Sequence, residues 1–151
     1  MRLSIDSNIL VYAFDSEAGT RHPEAVALMT RAALANCVLT LQGLAEFFHV
    51  TIRKGKLRPA NASAAIERML AVFEVHTADA TTLSDAIQAV ARHHLPFWDA
   101  MLWAAVQQAG CGLLLTEDFQ DGRRLGAVTF VNPFDPANAE LLDRALAPSS
   151  I

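Results

Sequence analysis

Short apolar blocks of strand length recur along the chain, separated by longer blocks whose apolar residues fall at helical spacing, and this alternation constrains the fold more than any other feature. Residues 2–6, 37–40, 73–76, 112–115 and 128–131 read as strands. Helical spacing fills the intervals. A helix is predicted over residues 20–36, with start signals at 20–23, and another over 42–53, where Leu44, Phe47 and Phe48 mark one face and Gly55 supplies a stop. Residues 61–73 carry Ala62, Ala65, Ile66 and Met69 on one stripe. Leu83, Ala86, Ile87, Val90 and Ala91 fit the helical template without a miss, with Thr81 or Thr82 as cap. After Pro96 the template recurs in Trp98, Met101, Leu102, Ala105, Val106 and Ala109, with Trp103 and Ala104 on the other side, so this helix is expected to be buried up to Gly110. Residues 117–125 read as a polar loop, and a short helix is expected over 140–146.

Strands that alternate with helices join through crossovers and form a parallel sheet covered on both faces, so the fold class is α/β. No linker, repeat or low-complexity segment interrupts residues 1–151, which implies a single domain with a peripheral tail over about 133–151. In such sheets ligands lie beyond the carboxyl ends of the strands, where Asp6 and the turn at Thr116 fall.

The formal charge is -4, from 12 basic and 16 acidic residues, which at first argues against a nucleic-acid partner. Six of the acids, Asp6, Glu46, Asp99, Glu117, Asp118 and Asp121, are candidates for one site; without them ten acids face 12 bases. Focused acidity of that kind is compatible with RNA. Arg53, Lys54, Lys56 and Arg58 form a local basic patch of the kind that engages phosphates, although a solvated helix end explains it equally well. No apolar run approaches the length of a membrane span, and the first residues lack the apolar centre of a secretory signal, so a cytoplasmic location is expected. Cys37 and Cys111 are far apart in apolar contexts and read as buried free thiols.

Taken singly, each acid has an ordinary explanation. A strand-end Asp6 before Ser7 and Asn8 is a turn former or helix cap, Asp99 suits a helix N-terminus, Glu46 suits a helix surface, and Glu117, Asp118 and Asp121 suit a solvated loop. Their joint placement changes the weighing: acids from four segments all border apolar blocks that form the core. Carboxylates gathered together raise one another's pKa unless a cation compensates them. Magnesium fits a site of oxygen donors without Cys or spaced His partners.

In Asp6-Ser7-Asn8-Ile9-Leu10-Val11-Tyr12, Glu46-Phe47-Phe48, Asp99-Ala100-Met101-Leu102 and Leu115-Thr116-Glu117-Asp118-Phe119, the sequence resembles the PIN-domain ribonucleases, and within them the VapC-type toxins of toxin-antitoxin pairs. The four segments occur in the family's order over nearly the whole chain. The resemblance implies a PIN-like three-layer domain, a central, mainly parallel sheet flanked by helices. It also implies Mg²⁺ or Mn²⁺ held by Asp6 and Asp99 directly, with Glu46 as a ligand or water-holder and Asp118 as fourth acid, Asp121 being the alternative. Asn8 and Thr116 resemble the family's polar helpers. The implied activity is hydrolysis of an RNA phosphodiester by an endoribonuclease, one ion or two being open. The implied partners are RNA, a small antitoxin covering the acidic pocket, and a second copy in a homodimer.

Several rivals fail on single positions. A haloacid-dehalogenase phosphatase needs a second Asp where Asn8 stands, a receiver domain needs a late-strand Lys, and Gly110-Cys111-Gly112 leads from helix into strand, the reverse of a dinucleotide fingerprint. Two alternatives stay open: a non-catalytic interaction module on the same scaffold, and a metal-dependent DNA nuclease.

Overall fold

A computed structural model describes residues 1–150. Strands β1 (Leu3–Ile5), β2 (Val38–Thr40), β3 (Glu74–His76), β4 (Leu113–Leu115), β5 (Arg124–Leu125) and β6 (Val128–Val131) alternate with helices α1 (Ser7–Tyr12), α2 (Arg21–Ala32), α3 (Leu41–Arg53), α4 (Pro59–Val72), α5 (Ala80–His93), α6 (Phe97–Gln108) and α7 (Ala139–Ala145). A 3-10 turn at Pro136–Asn138 precedes α7.

Four strands form one sheet in the order β1-β4-β6-β5, and β2 pairs with β3. The β1/β4, β4/β6 and β2/β3 pairs are parallel, while β5 runs antiparallel to β6. A bridge between Leu3 and Cys37 links the two sheets. Ile5 lies opposite Leu115, which lies opposite Val131, so Asp6 and Thr116 emerge side by side at the carboxyl edge. Backbone bonds from Asp6 N–H to Leu115 (2.9 Å) and from Thr116 N–H to Val131 (2.9 Å) extend the ladder to that edge.

β1, β2 and β4 are buried on both faces because different helices cover each. One core gathers Leu3, Ile5, Leu113 and Leu115 with Ile9, Leu28, Leu44, Phe47 and Met69 from α1 to α4. The other gathers Val38, Leu114, Val128 and Phe130 with Ala86, Ala89, Leu102 and Val106 from α5 and α6. This is the mainly parallel α/β sheet between helical layers that the sequence predicts. The segment assigned a peripheral place contributes Leu142, Ala145 and Leu146 to the first core.

Three local expectations change. The cap of α5 is Asp79 rather than Thr81 or Thr82: its carboxylate accepts from the Thr82 N–H (3.1 Å), and the Thr82 hydroxyl accepts from the Asp79 N–H (3.0 Å). The stripe on α5 is also rotated. Thr82, Ala86 and Ala89 are buried, whereas Leu83 and Ile87 are 42% and 55% exposed, because small side chains let α5 approach α6 closely. Finally, the polar loop over 117–125 ends in β5, too short to leave a period in the sequence; Gly126, at φ +57, turns it back into β6.

Both cysteines are free and buried. No helix among the described residues is long and apolar enough to cross a membrane.

Candidate active site

Asp6 stands where β1 hands over to α1. It is the N-cap of α1, with its Oδ1 accepting from the Ser7 N–H at 2.7 Å, so the bland reading of a helix cap is satisfied. Its other oxygen, Oδ2, accepts from the Thr116 hydroxyl at 2.7 Å. Thr116 Oγ1 in turn accepts from the Asp118 N–H at 3.0 Å, so one threonine fixes both Asp6 and the turn that carries Asp118. Only 4% of Asp6 is exposed. Burial pushes its carboxyl up to about 6, and the charges of Asp118 and Glu46 push the same way, against the Thr116 and Ser7 hydrogen bonds.

Glu46 lies on the second turn of α3, which starts where Thr40 caps the Gly43 N–H (2.9 Å) directly after β2. Its Oε2 accepts from the Ser7 hydroxyl at 2.7 Å, and its Oε1 from the Gln42 amide at 2.8 Å. Asp99 sits in the first turn of α6. Its carboxyl is raised above the ordinary value by burial first, then by the charges of Asp118 and Glu46. Asp6 therefore feels Asp118 and Glu46, and Asp99 feels the same two. Four acids from four segments share one electrostatic field.

Asp121 is placed differently. Its carboxylate accepts from the Asn132 N–H (2.8 Å) and from the Asn138 side-chain amide (3.1 and 3.2 Å), tying the loop before β5 to the C-terminal segment. Of the two candidates for a fourth acid, Asp118 adds its charge at Asp6 and Asp99, whereas Asp121 is engaged by the C-terminal segment. Glu117 is bound by Arg21 at 3.0 Å, and its bond to the Tyr12 hydroxyl raises that phenol's pKa. Arg21 also lies over the Phe134 ring, 4.4 Å from its centroid. Asn8 is half-buried on α1, and its Oδ1 is buried without a hydrogen-bond partner.

The basic stretch divides. Lys56 is tied to Asp15 (3.3 Å) and Glu17 (3.2 Å), so it is not free as the sequence suggests. Arg53, Lys54 and Arg58 are exposed. Arg53 lies seven residues beyond Glu46 on α3, on the same side of the helix and about 10 Å along its axis. Two hydrogen-bond partners of Glu46 escaped the sequence reading, Ser7 and Gln42. Gln42 had a signal, since it precedes Glu46 by four residues on a helix; the Ser7 contact crosses elements and had none.

The donors around Asp6 are carboxylate oxygens with neutral hydroxyls and amides, the chemistry that suits a hard divalent cation. The mutual charge of Asp6, Asp118 and Glu46 is what such an ion would neutralise. Among the described residues no group of three or more His, Cys, Asp or Glu side chains is gathered closely enough to grip an ion directly. Mg²⁺ is commonly held by only one or two carboxylates, with water completing its shell.

Comparison with solved structures returns the same fold in bacterial toxins. VapC20 from Mycobacterium tuberculosis, a sarcin-ricin-loop cleaving toxin, superposes with a TM-score of 0.64 at 20% identity over 77% of this chain and 91% of that one. A toxin-antitoxin complex from Klebsiella pneumoniae gives 0.64 at 19% identity over 89% and 99%. VapBC-1 from nontypeable Haemophilus influenzae gives 0.63 at 14% over 89% and 100%. At such identities the likeness establishes architecture alone. No curated protein matches the sequence. A family model, however, matches residues 3–124, a span that includes Asp6, Glu46, Asp99 and Asp118, and by this match the chain belongs to the PIN-domain family.

Proposed function

We propose that this chain is a divalent-metal-dependent endoribonuclease and the toxin of a toxin-antitoxin pair. The observation that carries the reading is the shared field of Asp6, Glu46, Asp99 and Asp118, brought from four segments to one edge of the sheet. PIN-domain VapC proteins are nucleases, and PIN nucleases generally use divalent metal ions.

In this mechanism Asp6 and Asp99 would hold Mg²⁺ or Mn²⁺, Asp118 would add the fourth acid, and Glu46 would serve as a further ligand or hold a water. Thr116 keeps Asp6 Oδ2 directed and Ser7 does the same for Glu46 Oε2. Asn8 has an unpaired amide oxygen that can accept from a substrate donor, and its amide NH₂ can donate to an acid. A bound ion supplies Lewis-acid chemistry, neutralising charge on the phosphoryl oxygens and easing ionisation of the water. Arg53, Lys54 and Arg58 grip flanking phosphates, with Arg53 about two helical turns from Glu46.

The partners follow from the same reading. The Klebsiella structure is a toxin-antitoxin complex, and an antitoxin segment is the expected cover for these acids. A homodimer is supported by Leu41, Phe48 and Leu70, large apolar side chains exposed along the groove between α3 and α4. RNA as substrate puts the action in the cytoplasm.

The test is cleavage of RNA beside single- and double-stranded DNA, with Mg²⁺ and with EDTA. Metal-stimulated RNA cleavage is expected, falling by about a hundredfold or more in Asp6→Ala and Asp99→Asn. Undiminished activity in either purified variant refutes the site, and a preference for DNA replaces the substrate. Growth arrest on expression, relieved by the neighbouring gene's product, tests the toxin assignment; absence of turnover in every condition leaves the interaction module.

A further inference from the structure

Glu46 and Asp99 sit on different helices, and something must set their separation. Among the described residues, one side-chain hydrogen bond joins α3 to α6, and Gln42 makes it. Its Nε2 donates to the Trp98 carbonyl oxygen at 3.0 Å, immediately before Asp99, and to Glu46 Oε1 at 2.8 Å. A primary amide nitrogen has two protons, and both are used. Together with the Ser7 hydroxyl on Oε2, Gln42 leaves neither oxygen of Glu46 free to rotate away.

The donors matter as much as the distances. Ser7 and Gln42 are neutral, so they orient the Glu46 carboxylate without pairing its charge, unlike Arg21 on Glu117. An i,i+4 pair on a helix surface is weak by itself and serves the helix alone. The second bond, across to the backbone of α6, has no use for the helix. It fixes the turn that carries Asp99 relative to the carboxylate on α3.

We infer that Gln42 is a positioning residue that sets Glu46 against the Asp99 turn and so tunes divalent-cation affinity at the acidic edge. The inference rests on the metal reading of the site given above. Groups that orient metal ligands typically change affinity by ten- to a hundredfold when removed.

The experiment measures Mn²⁺ binding to the full chain by calorimetry and by electron paramagnetic resonance, without RNA. Gln42→Met keeps length and helix preference while removing both bonds, and Gln42→Ala is the second variant should the first fold poorly. Melting temperature and near-ultraviolet circular dichroism check the fold. The expected result is an Mn²⁺ Kd about tenfold weaker in Gln42→Met, with the loss largely absent when the substitution is made on a Glu46→Gln background. Wild-type affinity in folded Gln42→Met, or the same tenfold loss on the Glu46→Gln background, overturns the inference while the metal reading stands. Wild-type affinity in both Glu46→Gln and Asp99→Asn overturns the metal reading, and this inference falls with it.

Discussion

Asp6 is under two opposed demands, a buried place at a strand end and a charge to offer. Its carboxyl titrates at about 6 instead of 3.8, so the metal-free fold holds that proton more tightly than the unfolded chain does. The sign follows: stability is undiminished below about pH 4, falls as pH rises through about 6, and stays lowered above it. A shift of this size corresponds to about 3 kcal/mol at most. In EDTA at pH 8, Asp6→Asn should therefore melt several degrees above the wild type, with the margin closing toward pH 4 and narrowing in saturating Mg²⁺. A lower melting temperature at pH 8 would contradict the assigned burial cost. The sequence made Asp6 visible as an acid at a strand end. Its pairing with Thr116, 110 residues later, needed the β1/β4 register.

At the scale of elements, α3 carries Gln42, Glu46 and Arg53 on one side, and the turn after it carries a lysine already committed. Arg53→Ala should weaken RNA binding and flatten its salt dependence by about one counterion, whereas Lys56→Ala should leave both near the wild-type values; filter binding at several salt concentrations separates them. Helix α5 offers a test away from the acids. Asp79→Ala removes the cap and its bond from Gln108 (2.9 Å), so the melting temperature should drop by about 2–4 °C with Mn²⁺ affinity unchanged. That cap was illegible in advance because Thr81 and Thr82 look equally suitable, and only the path of the chain out of β3 puts Asp79 at the boundary. The rotated face of α5 has a similar cause. Periodicity reports that a helix has an apolar stripe, but the closeness of α6 decided that Ala86 and Ala89 go inside and Ile87 stays out.

For the molecule as a whole, the C-terminal segment separates the two acids that the sequence left as alternatives. Asp121 holds Asn132 and Asn138, and Leu142 is buried in the core that also encloses Ile9 and Phe47. Asp118→Asn should weaken Mn²⁺ binding with little change in melting temperature, and Asp121→Asn should do the reverse. Leu142→Ala should cost about 2–5 kcal/mol in chemical denaturation, which a peripheral tail would not. The sequence by itself determined the α/β alternation, the strand ends and the identity of the acids, because these are written in local periods and in residue chemistry. It could not determine which acids meet, which lysine is free or where the tail rests. Those depend on contacts between residues 39 to 110 positions apart, which parallel strand register brings together for Asp6 and Thr116 and the packing of helices and loops for the others, and no local pattern encodes either.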